Sequence, residues 1–246
     1  MPLPRYTYTG PTDHTIIPDR SSVKGKSVII TGGANGMGEA RSSGDSLWNL
    51  EDPNEQPTKP DLNIVNVNLM GSLYTWKLAV HYFRMQPDTE ERDRCFIITG
   101  SMVGWIDSPG NWEYTATKYG LHGFMRTVRR SSWEQCIRIT YVAPCWIRSA
   151  IRTADYEKWL IDHGVEFGEQ EDVANSMMRV ACDKTINGRS LMITPRLIAK
   201  EGYMDIDRDD YKDVPEDSYL KRLQESQLII IEDQWRDNYN VRIYKD

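Results

Sequence analysis

Short runs of β-branched residues alternate with long segments of helical periodicity along most of this chain. The runs lie at residues 27–30, 94–101, 137–142 and 189–194, and the helical segments lie at residues 62–85, 111–133, 156–164 and 170–182. Two strands that are joined through a helix form a parallel pair, because the chain must cross over the sheet between them. The alternation therefore predicts an α/β fold with a layered parallel sheet, in which residues 27–30 are the first, buried strand.

The composition changes at both ends of this alternating region. Residues 1–24 are rich in Pro, Thr and Asp and are predicted to form an N-terminal arm. Residues 199–246 are acidic and highly charged, with one apolar cluster at residues 228–231. This C-terminal extension is either a solvated appendage or a partner-binding helix, and its charge favours the solvated alternative. The predicted domain between the two covers residues 25–198.

Charge and cysteine content exclude several classes of function. The chain has 30 Lys and Arg residues against 36 Asp and Glu residues, a net charge of -6, and so lacks the basic excess of a nucleic-acid-binding protein. No apolar run approaches the roughly 18 residues that span a bilayer, and the N-terminus lacks the apolar core of a signal peptide. The 4 cysteines are scattered, without the close pairs of a zinc site or a disulfide framework. We therefore expect a cytoplasmic protein with no nucleic-acid, membrane or metal partner.

A glycine-rich turn directly follows the first predicted strand. Its sequence, Thr-Gly-Gly-Ala-Asn-Gly-Met-Gly at residues 31–38, places Gly32, Gly36 and Gly38 where the backbone can turn sharply and approach a pyrophosphate. Dinucleotide binding and a simple tight turn are both compatible with this pattern. The helix whose N-terminus would meet the phosphates is short, because Ser, Gly and Asp follow at residues 42–45.

Three polar side chains are predicted to meet at the carboxyl edge of the sheet. Tyr114 and Lys118 are four residues apart, so they share a face of the second long helix. Ser101 ends a predicted strand, where open α/β sheets bind their ligands. A nearby ammonium lowers the pKa of a tyrosine from its usual value of about 10, which would make Tyr114 a proton carrier near neutral pH. The alternative is an ordinary exposed pair on a helix surface.

These features together resemble the short-chain dehydrogenase/reductase family in order and approximate spacing. The resemblance rests on the glycine-rich turn, Ser101, the Tyr-Thr-Ala-Thr-Lys run at residues 114–118 and the Asn-Val-Asn-Leu-Met-Gly run at residues 66–71, and it covers about residues 25–195. It is nearest to fungal secondary-alcohol dehydrogenases and to enzymes similar to hydroxyprostaglandin dehydrogenase. It implies a Rossmann-like doubly wound parallel sheet, hydride transfer between NAD or NADP and a secondary alcohol or ketone, and a place in secondary metabolism.

The same resemblance implies a role for each residue of the site. Tyr114 is the general acid/base, and Lys118 holds the ribose hydroxyls of the cofactor and lowers the pKa of that tyrosine. Ser101 orients the substrate oxygen, and Asn68 anchors a water-based proton relay. The implied cofactor-binding residues are Thr31, Gly32, Asn35, Gly36, Met37, Gly38, Tyr114, Lys118, Pro144 and Ile147.

The surroundings of the implied site suggest a substrate and an assembly. Trp105, Trp112 and Trp146 flank it, as walls for an apolar substrate or as ordinary packing residues. Residues 144–149 resemble the family's Pro-Gly segment that closes over the nicotinamide, with Cys145 where glycine is usual. The helices predicted at residues 62–85 and 111–133 resemble the pair through which family members form dimers and tetramers, which implies a homo-oligomer.

Part of the family's fold is missing between the glycine-rich turn and Asn68. Only residues 41–61 fill the interval where a complete member carries two or three further strands with their helices. The predicted sheet is therefore incomplete, lacking the strands and helices after the first βα unit. Two interpretations stay open: an oxidoreductase whose cofactor site is rebuilt, or a non-redox protein. The second would be a truncated isoform or pseudo-enzyme that lost cofactor binding and serves as an interaction scaffold or a cofactor-independent cyclase.

Overall fold

The computed structural model describes residues 6–30, 54–87, 89, 92–132, 136–149 and 152–243, with side chains up to residue 229. The strands are β1 (Arg94–Thr99), β2 (Ile137–Ala143), β3 (Ser190–Ile193) and β4 (Tyr203–Asp205). Helix α1 is continuous through Asn63–Val65, a π-helical turn at Asn66–Met70 and Gly71–Met85. The other helices are α2 (Trp112–Val128), α3 (Ala154–Asp162), α4 (Gln170–Cys182) and α5 (Pro215–Ile243), with short 3-10 helices at Arg20–Val23 and Met102–Gly104.

The four strands form one mixed sheet in the order β1-β2-β3-β4. β1 pairs with β2 in parallel, with Ile97 opposite Thr140, and β2 pairs with β3 in parallel, with Val142 opposite Leu191. β4 returns antiparallel to β3. The parallel core confirms the predicted α/β fold, and β4 adds a strand that the sequence did not predict.

Helices cover both faces of the sheet, each over its own apolar core. Because side chains alternate along a strand, Tyr141 of β2 faces α1 and α2, and the next residue, Val142, faces α4. The first core contains Ile98, Leu121, Met125, Ile139, Tyr141 and Ala143, and the second contains Val142, Ile147, Val173, Val180, Ile186, Leu191, Ile193 and Tyr203. Helices on both faces confirm the Rossmann-like doubly wound arrangement, in the incomplete form that was predicted.

The prediction of a buried first strand at residues 27–30 is wrong. These residues have no secondary structure, and Val28, Ile29 and Ile30 are 71%, 88% and 78% exposed. Among the described residues β1 has one neighbour, β2, so nothing pairs with its other edge. A β-branched run becomes a stable strand only when a sheet supplies hydrogen-bond partners and covers its side chains.

Helix α1 has the predicted length, and its side chains are mostly exposed or only partly buried. Leu69 and Trp76 pack against the core, and Trp76 meets the ring of Phe96 edge-on at 5.2 Å between ring centroids. Ile64 alone is buried among its described residues. Its exposed apolar side chains are Val67, Met70, Tyr74, Leu78, Tyr82 and Met85. The helix packs through one side only, because the sheet lies on that side.

The N-terminal arm is bonded to the domain rather than free of it. The Tyr6 ring is buried, and its hydroxyl accepts a hydrogen bond from Arg129 at 2.7 Å. The backbone N–H of Thr12 donates to Asp205 at 2.8 Å, and Lys26 donates to Asp93 at 3.0 Å. These contacts hold the N-terminal arm along the edge of the sheet at which the parallel strands begin.

The sheet continues past residue 198, where the sequence placed the end of the domain. Arg189 binds Asp205 through two hydrogen bonds of 2.9 Å, and this buried ion pair joins β3 to β4. The chain divides into two compact units, Met1–Asp207 and Arg208–Asp246. The second unit contains α5, whose described side chains include exposed Tyr219, Leu220, Leu223 and Ile229. No helix of the described residues is long and apolar enough to cross a membrane.

Candidate functional site

Ser101 lies at the carboxyl end of β1, at the first turn after the strand. Its Oγ accepts a hydrogen bond from the backbone N–H of Val103 at 3.3 Å and caps the 3-10 helix Met102–Gly104. The residue is 8% exposed. A serine at a helix N-cap is locally favoured, because its side chain accepts from a backbone donor that has no partner within the helix. The serine is therefore held at the edge of the sheet where a ligand would bind.

Lys118 lies on α2 and is buried beside Tyr114. Its Nζ donates to the backbone carbonyl of Thr99 at 3.1 Å and lies 5.3 Å from the centroid of the Tyr114 ring. The lysine is 8% exposed and the tyrosine is half-buried. The two are therefore not the exposed surface pair that was the alternative interpretation of their spacing.

Burial also changes the chemistry of this lysine. Desolvation lowers the pKa of Lys118 from its usual value to about 8, because the ammonium has lost most of its water. The carbonyl of Thr99 accepts one of its three N–H bonds. The remaining donors suit hydroxyl oxygens such as those of a ribose, so the donor set fits the cofactor that the sequence implies.

Asn68 reaches the same helix from α1. It lies within the π-helical turn, and its Nδ2 donates to Thr117 Oγ1 at 3.5 Å. Thr117 is fully buried and directly precedes Lys118. The contact brings Asn68 to the turn of α2 that holds Tyr114 and Lys118.

The segment after β2 lies against the Ser101 turn. The carbonyl of Pro144 accepts a hydrogen bond from the backbone N–H of Met102 at 2.9 Å, and the side chain of Ile147 is buried. These contacts fix the segment that was predicted to close over the nicotinamide. The other predicted cofactor residues, Thr31, Gly32, Asn35, Gly36, Met37 and Gly38, lie outside the described residues.

The tryptophans near the site differ in what they contact. Trp105 packs below the site on His122 and Tyr141, with ring centroids 3.9 Å and 5.2 Å away. Trp146 meets Phe167 edge-on, with 6.3 Å between ring centroids. Packing therefore accounts for Trp105, and Trp146 is joined to the loop that carries Phe167.

Sequence reasoning missed Tyr141, which lies directly beneath the site. It is fully buried on β2, and its hydroxyl lies within hydrogen-bond distance of the backbones of Ser101 and Lys118. A tyrosine among aliphatic strand residues signals a buried polar partner, because a buried phenol usually finds a hydrogen bond. The spacing of residues along the sequence does not show which partner it finds.

Comparison with known proteins shows that part of the chain is similar to dehydrogenases. Residues 53–159 match the family model described as short chain dehydrogenase. The chain is 30% identical to 5'-hydroxyaverantin dehydrogenase of Dothistroma septosporum, over 63% of this chain and 51% of that protein. It is 29% identical to the NADP-dependent dehydrogenase M3 of a Phoma species, over 55% of this chain and 43% of that protein. The chain thus spans about half the length of these curated relatives.

Part of the chain is also similar to a solved structure. It is the 3-oxoacyl-[acyl-carrier protein] reductase from Brucella melitensis in complex with NAD, at a TM-score of 0.48 and 22% sequence identity. The match covers 53% of this chain and 54% of that chain.

Proposed function

We propose that the chain is a member of the short-chain dehydrogenase/reductase family and that it transfers a hydride between NAD or NADP and a secondary alcohol or ketone. The observation that carries this proposal is the buried ammonium of Lys118 beside Tyr114, at the sheet edge where Ser101 lies. No carboxylate among the described residues pairs with Lys118; burying a charge without such a partner is costly, and such costs concentrate at functional sites. Relatives named as dehydrogenases support the same chemistry.

Tyr114 is the proton carrier in this proposal. In reduction its hydroxyl gives a proton to the carbonyl oxygen of the substrate while the carbonyl carbon receives the hydride, and in oxidation both transfers reverse. The cofactor, when bound, supplies or accepts the hydride. The positive charge of Lys118 stabilises negative charge on the Tyr114 oxygen, and its free N–H donors hold the ribose hydroxyls. Ser101 orients the substrate oxygen by a hydrogen bond.

The remaining residues support proton supply and cofactor placement. Asn68 anchors a chain of water molecules that returns the proton to Lys118 and Tyr114. Pro144 and Ile147 line the nicotinamide side, and the turn at residues 31–38 takes the pyrophosphate within a catalytic domain at residues 25–198. Residues 27–30, which lead into residues 31–38, are exposed and form no strand, so we expect weaker cofactor binding than after a paired strand.

The named relatives support a substrate class, and the exposed apolar side of α1 supports an assembly. We propose that the substrate is a small-molecule alcohol or ketone of apolar character, and the relative named 5'-hydroxyaverantin dehydrogenase supports an alcohol and a place in secondary metabolism. We also propose a homo-oligomer, which the exposed apolar side of α1 supports, and a cytoplasmic location. Sedimentation velocity tests the assembly, and a monomer at micromolar concentration would contradict it.

The decisive experiment combines cofactor titration with one substitution. NADH or NADPH is titrated by fluorescence, and turnover is measured on a panel of apolar secondary alcohols and ketones. Tyr114→Phe removes only the hydroxyl, so kcat should fall by about 100-fold or more while cofactor affinity stays nearly unchanged. Tyr119→Phe is the matched control, because Tyr119 lies on the same helix and is exposed. Absence of saturable binding up to millimolar cofactor would overturn the oxidoreductase and leave the non-redox alternative.

A further inference from the structure

The hydroxyl of Tyr141 contacts two parts of the candidate site from below. The Tyr141 oxygen accepts a hydrogen bond from the backbone N–H of Ser101 at 3.0 Å. The same hydroxyl lies 3.2 Å from the carbonyl of Ser101 and 3.2 Å from the carbonyl of Lys118, and it can donate to one of them at a time. The end of β1 and the middle of α2 therefore share one side chain, which comes from β2.

The backbone around this ring is shaped to admit it. A Cβ added to Gly100 would stand 1.8 Å from the Tyr141 ring, and one added to Gly104 would stand 2.8 Å from the hydroxyl oxygen. Real Cβ atoms do not approach other atoms this closely, so both positions require glycine while the ring stays in place. The chain thus passes on both sides of Ser101 in direct contact with Tyr141.

Packing leaves the ring little freedom. Its neighbours are the rings of Trp105 and His122, whose centroids lie 5.2 Å and 5.7 Å away. Tyr141 itself is fully buried in the middle of the sheet. A hydrogen bond made by a side chain fixed in this way sets the position of its partner, because the fixed hydroxyl cannot follow a displaced backbone.

We propose that Tyr141 is a positioning residue that sets Ser101 relative to the Tyr114 and Lys118 pair. Through its hydroxyl, the Ser101 backbone and the Lys118 turn keep a fixed separation, so that the Ser101 hydroxyl and Tyr114 can address the same substrate oxygen. Small displacements matter here, because a misplacement of about 1 Å can lower a rate by about 100-fold. The proposal rests on the oxidoreductase function proposed above.

The first test is a cycle of substitutions measured by kcat. Tyr141→Phe keeps the ring and removes the hydroxyl, and it should lower kcat by about 10-fold to 100-fold with the cofactor KM changed less than about 3-fold. In a Ser101→Ala background the same substitution should cost less than about 2-fold, because the side chain being positioned is gone. A residue that only stabilises the fold would lower kcat by the same factor in both backgrounds, and that result would overturn the proposal.

The second test does not need turnover. Hydrogen exchange measured by NMR should show the Ser101 amide exchanging at least about 10-fold faster in Tyr141→Phe, with β3 amides unchanged. Tyr203→Phe is the control, since Tyr203 is a buried tyrosine in the core on the opposite face of the sheet. Unchanged protection of Ser101 would overturn the inference, whereas lost protection in a protein without turnover would defeat the oxidoreductase function alone.

A further variant keeps the Tyr141 hydroxyl and tests the proposal even if Tyr141→Phe does not fold. Gly104→Ala places a methyl group 2.8 Å from the Tyr141 oxygen and 3.3 Å from the carbonyl of Lys118, so it displaces the hydroxyl from its partners. It should reproduce both the fall in kcat and the faster exchange of Ser101. Normal kcat together with normal exchange in this variant would contradict the proposal.

Discussion

Residues 27–30 and strand β2 are similar as sequences and opposite as structures. Both are short and rich in β-branched residues, and both precede a stretch of small or turn-forming residues. Every residue of β2 is buried, and the strand pairs with β1 on one side and β3 on the other. Residues 27–30 pair with nothing among the described residues and stand open to solvent. Strand propensity therefore takes effect only where neighbouring strands and helices complete the burial.

Strand β2 and residues 27–30 also differ in which side chains they bury, charged ones included. β2 buries Arg138 completely, because Asp93 receives two hydrogen bonds from its guanidinium, at 2.7 Å and 2.9 Å. The neighbouring carbonyls of Val180 and Ile186 accept two more, at 3.1 Å and 2.7 Å. The exposed segment leaves three β-branched side chains in water instead. The surroundings of β2 thus supply hydrogen-bond partners for a buried charge, whereas at residues 27–30 even apolar side chains are exposed.

The largest expected effect compares one isoleucine from each region. Ile139→Ala in β2 removes a fully buried side chain and should lower the free energy of unfolding by about 3 to 4 kcal/mol. Ile29→Ala removes a side chain that is already in water and should change it by less than about 0.5 kcal/mol. Urea denaturation followed by circular dichroism measures both. Equal losses would show that residues 27–30 are buried in solution and would remove the contrast.

The sequence predicts those parts of the fold that follow from local pattern. Helix α4 occurs at Gln170–Cys182, as its periodicity predicts, and β2 ends before Pro144, which cannot donate to a ladder. Strand β4 was missed because three residues carry no usable periodicity and because aspartate is a residue type that is mostly exposed. Asp205 is instead buried by Arg189, a pairing that only the folded chain creates.

The candidate site divides in the same way. The four-residue spacing predicts that Tyr114 and Lys118 share a helix face, and the structure brings them together. Spacing cannot predict that Lys118 is buried, since burial depends on how α2 packs on the sheet. Tyr141 could not be assigned because its partners come from β1 and α2, elements that meet only after folding.

The second-largest expected effect concerns the carboxylate of Asp93, which pairs with a residue of β2 and with the residue before 27–30. Asp93 binds Arg138 of β2 and also Lys26, which directly precedes residues 27–30. Asp93→Asn should lower the free energy of unfolding by about 2 to 3 kcal/mol, because it leaves the buried guanidinium without its counter-charge. Lys26→Gln, the control from the exposed region, should cost less than about 1 kcal/mol, because the Lys26 side chain is partly solvated. Similar costs for the two variants would contradict the difference between the regions.

At acidic pH, Asp93→Asn should no longer change the free energy of unfolding. Burial alone would raise the pKa of the Asp93 carboxyl, but the hydrogen bonds and charge of Arg138, followed by those of Lys26, hold this pKa below its usual value. A lowered pKa stabilises the folded state above the unfolded-state pKa of about 4, and this contribution is lost as the pH falls through the folded-state pKa. The stability difference between wild type and Asp93→Asn should therefore be constant from about pH 5 to 7 and shrink below about pH 4. A difference that grows in acid would mean that the carboxyl is not ion-paired in the folded state.

The smallest expected effect is the sharpest test of the comparison, because it probes the backbone itself. Proline in a central strand removes a ladder donor and clashes with its neighbour, so a strand paired on both sides would lose much of its stability. Ile29→Pro should lower the free energy of unfolding by less than about 0.5 kcal/mol, since residues 27–30 have no ladder to lose. Urea unfolding midpoints of the wild type and of Ile29→Pro, measured with and without NADPH, would show whether residues 27–30 pair with the sheet in either state. A loss above about 1 kcal/mol without cofactor would show that the segment is already a strand, whereas a loss that emerges only with cofactor would show that binding recruits it into the sheet.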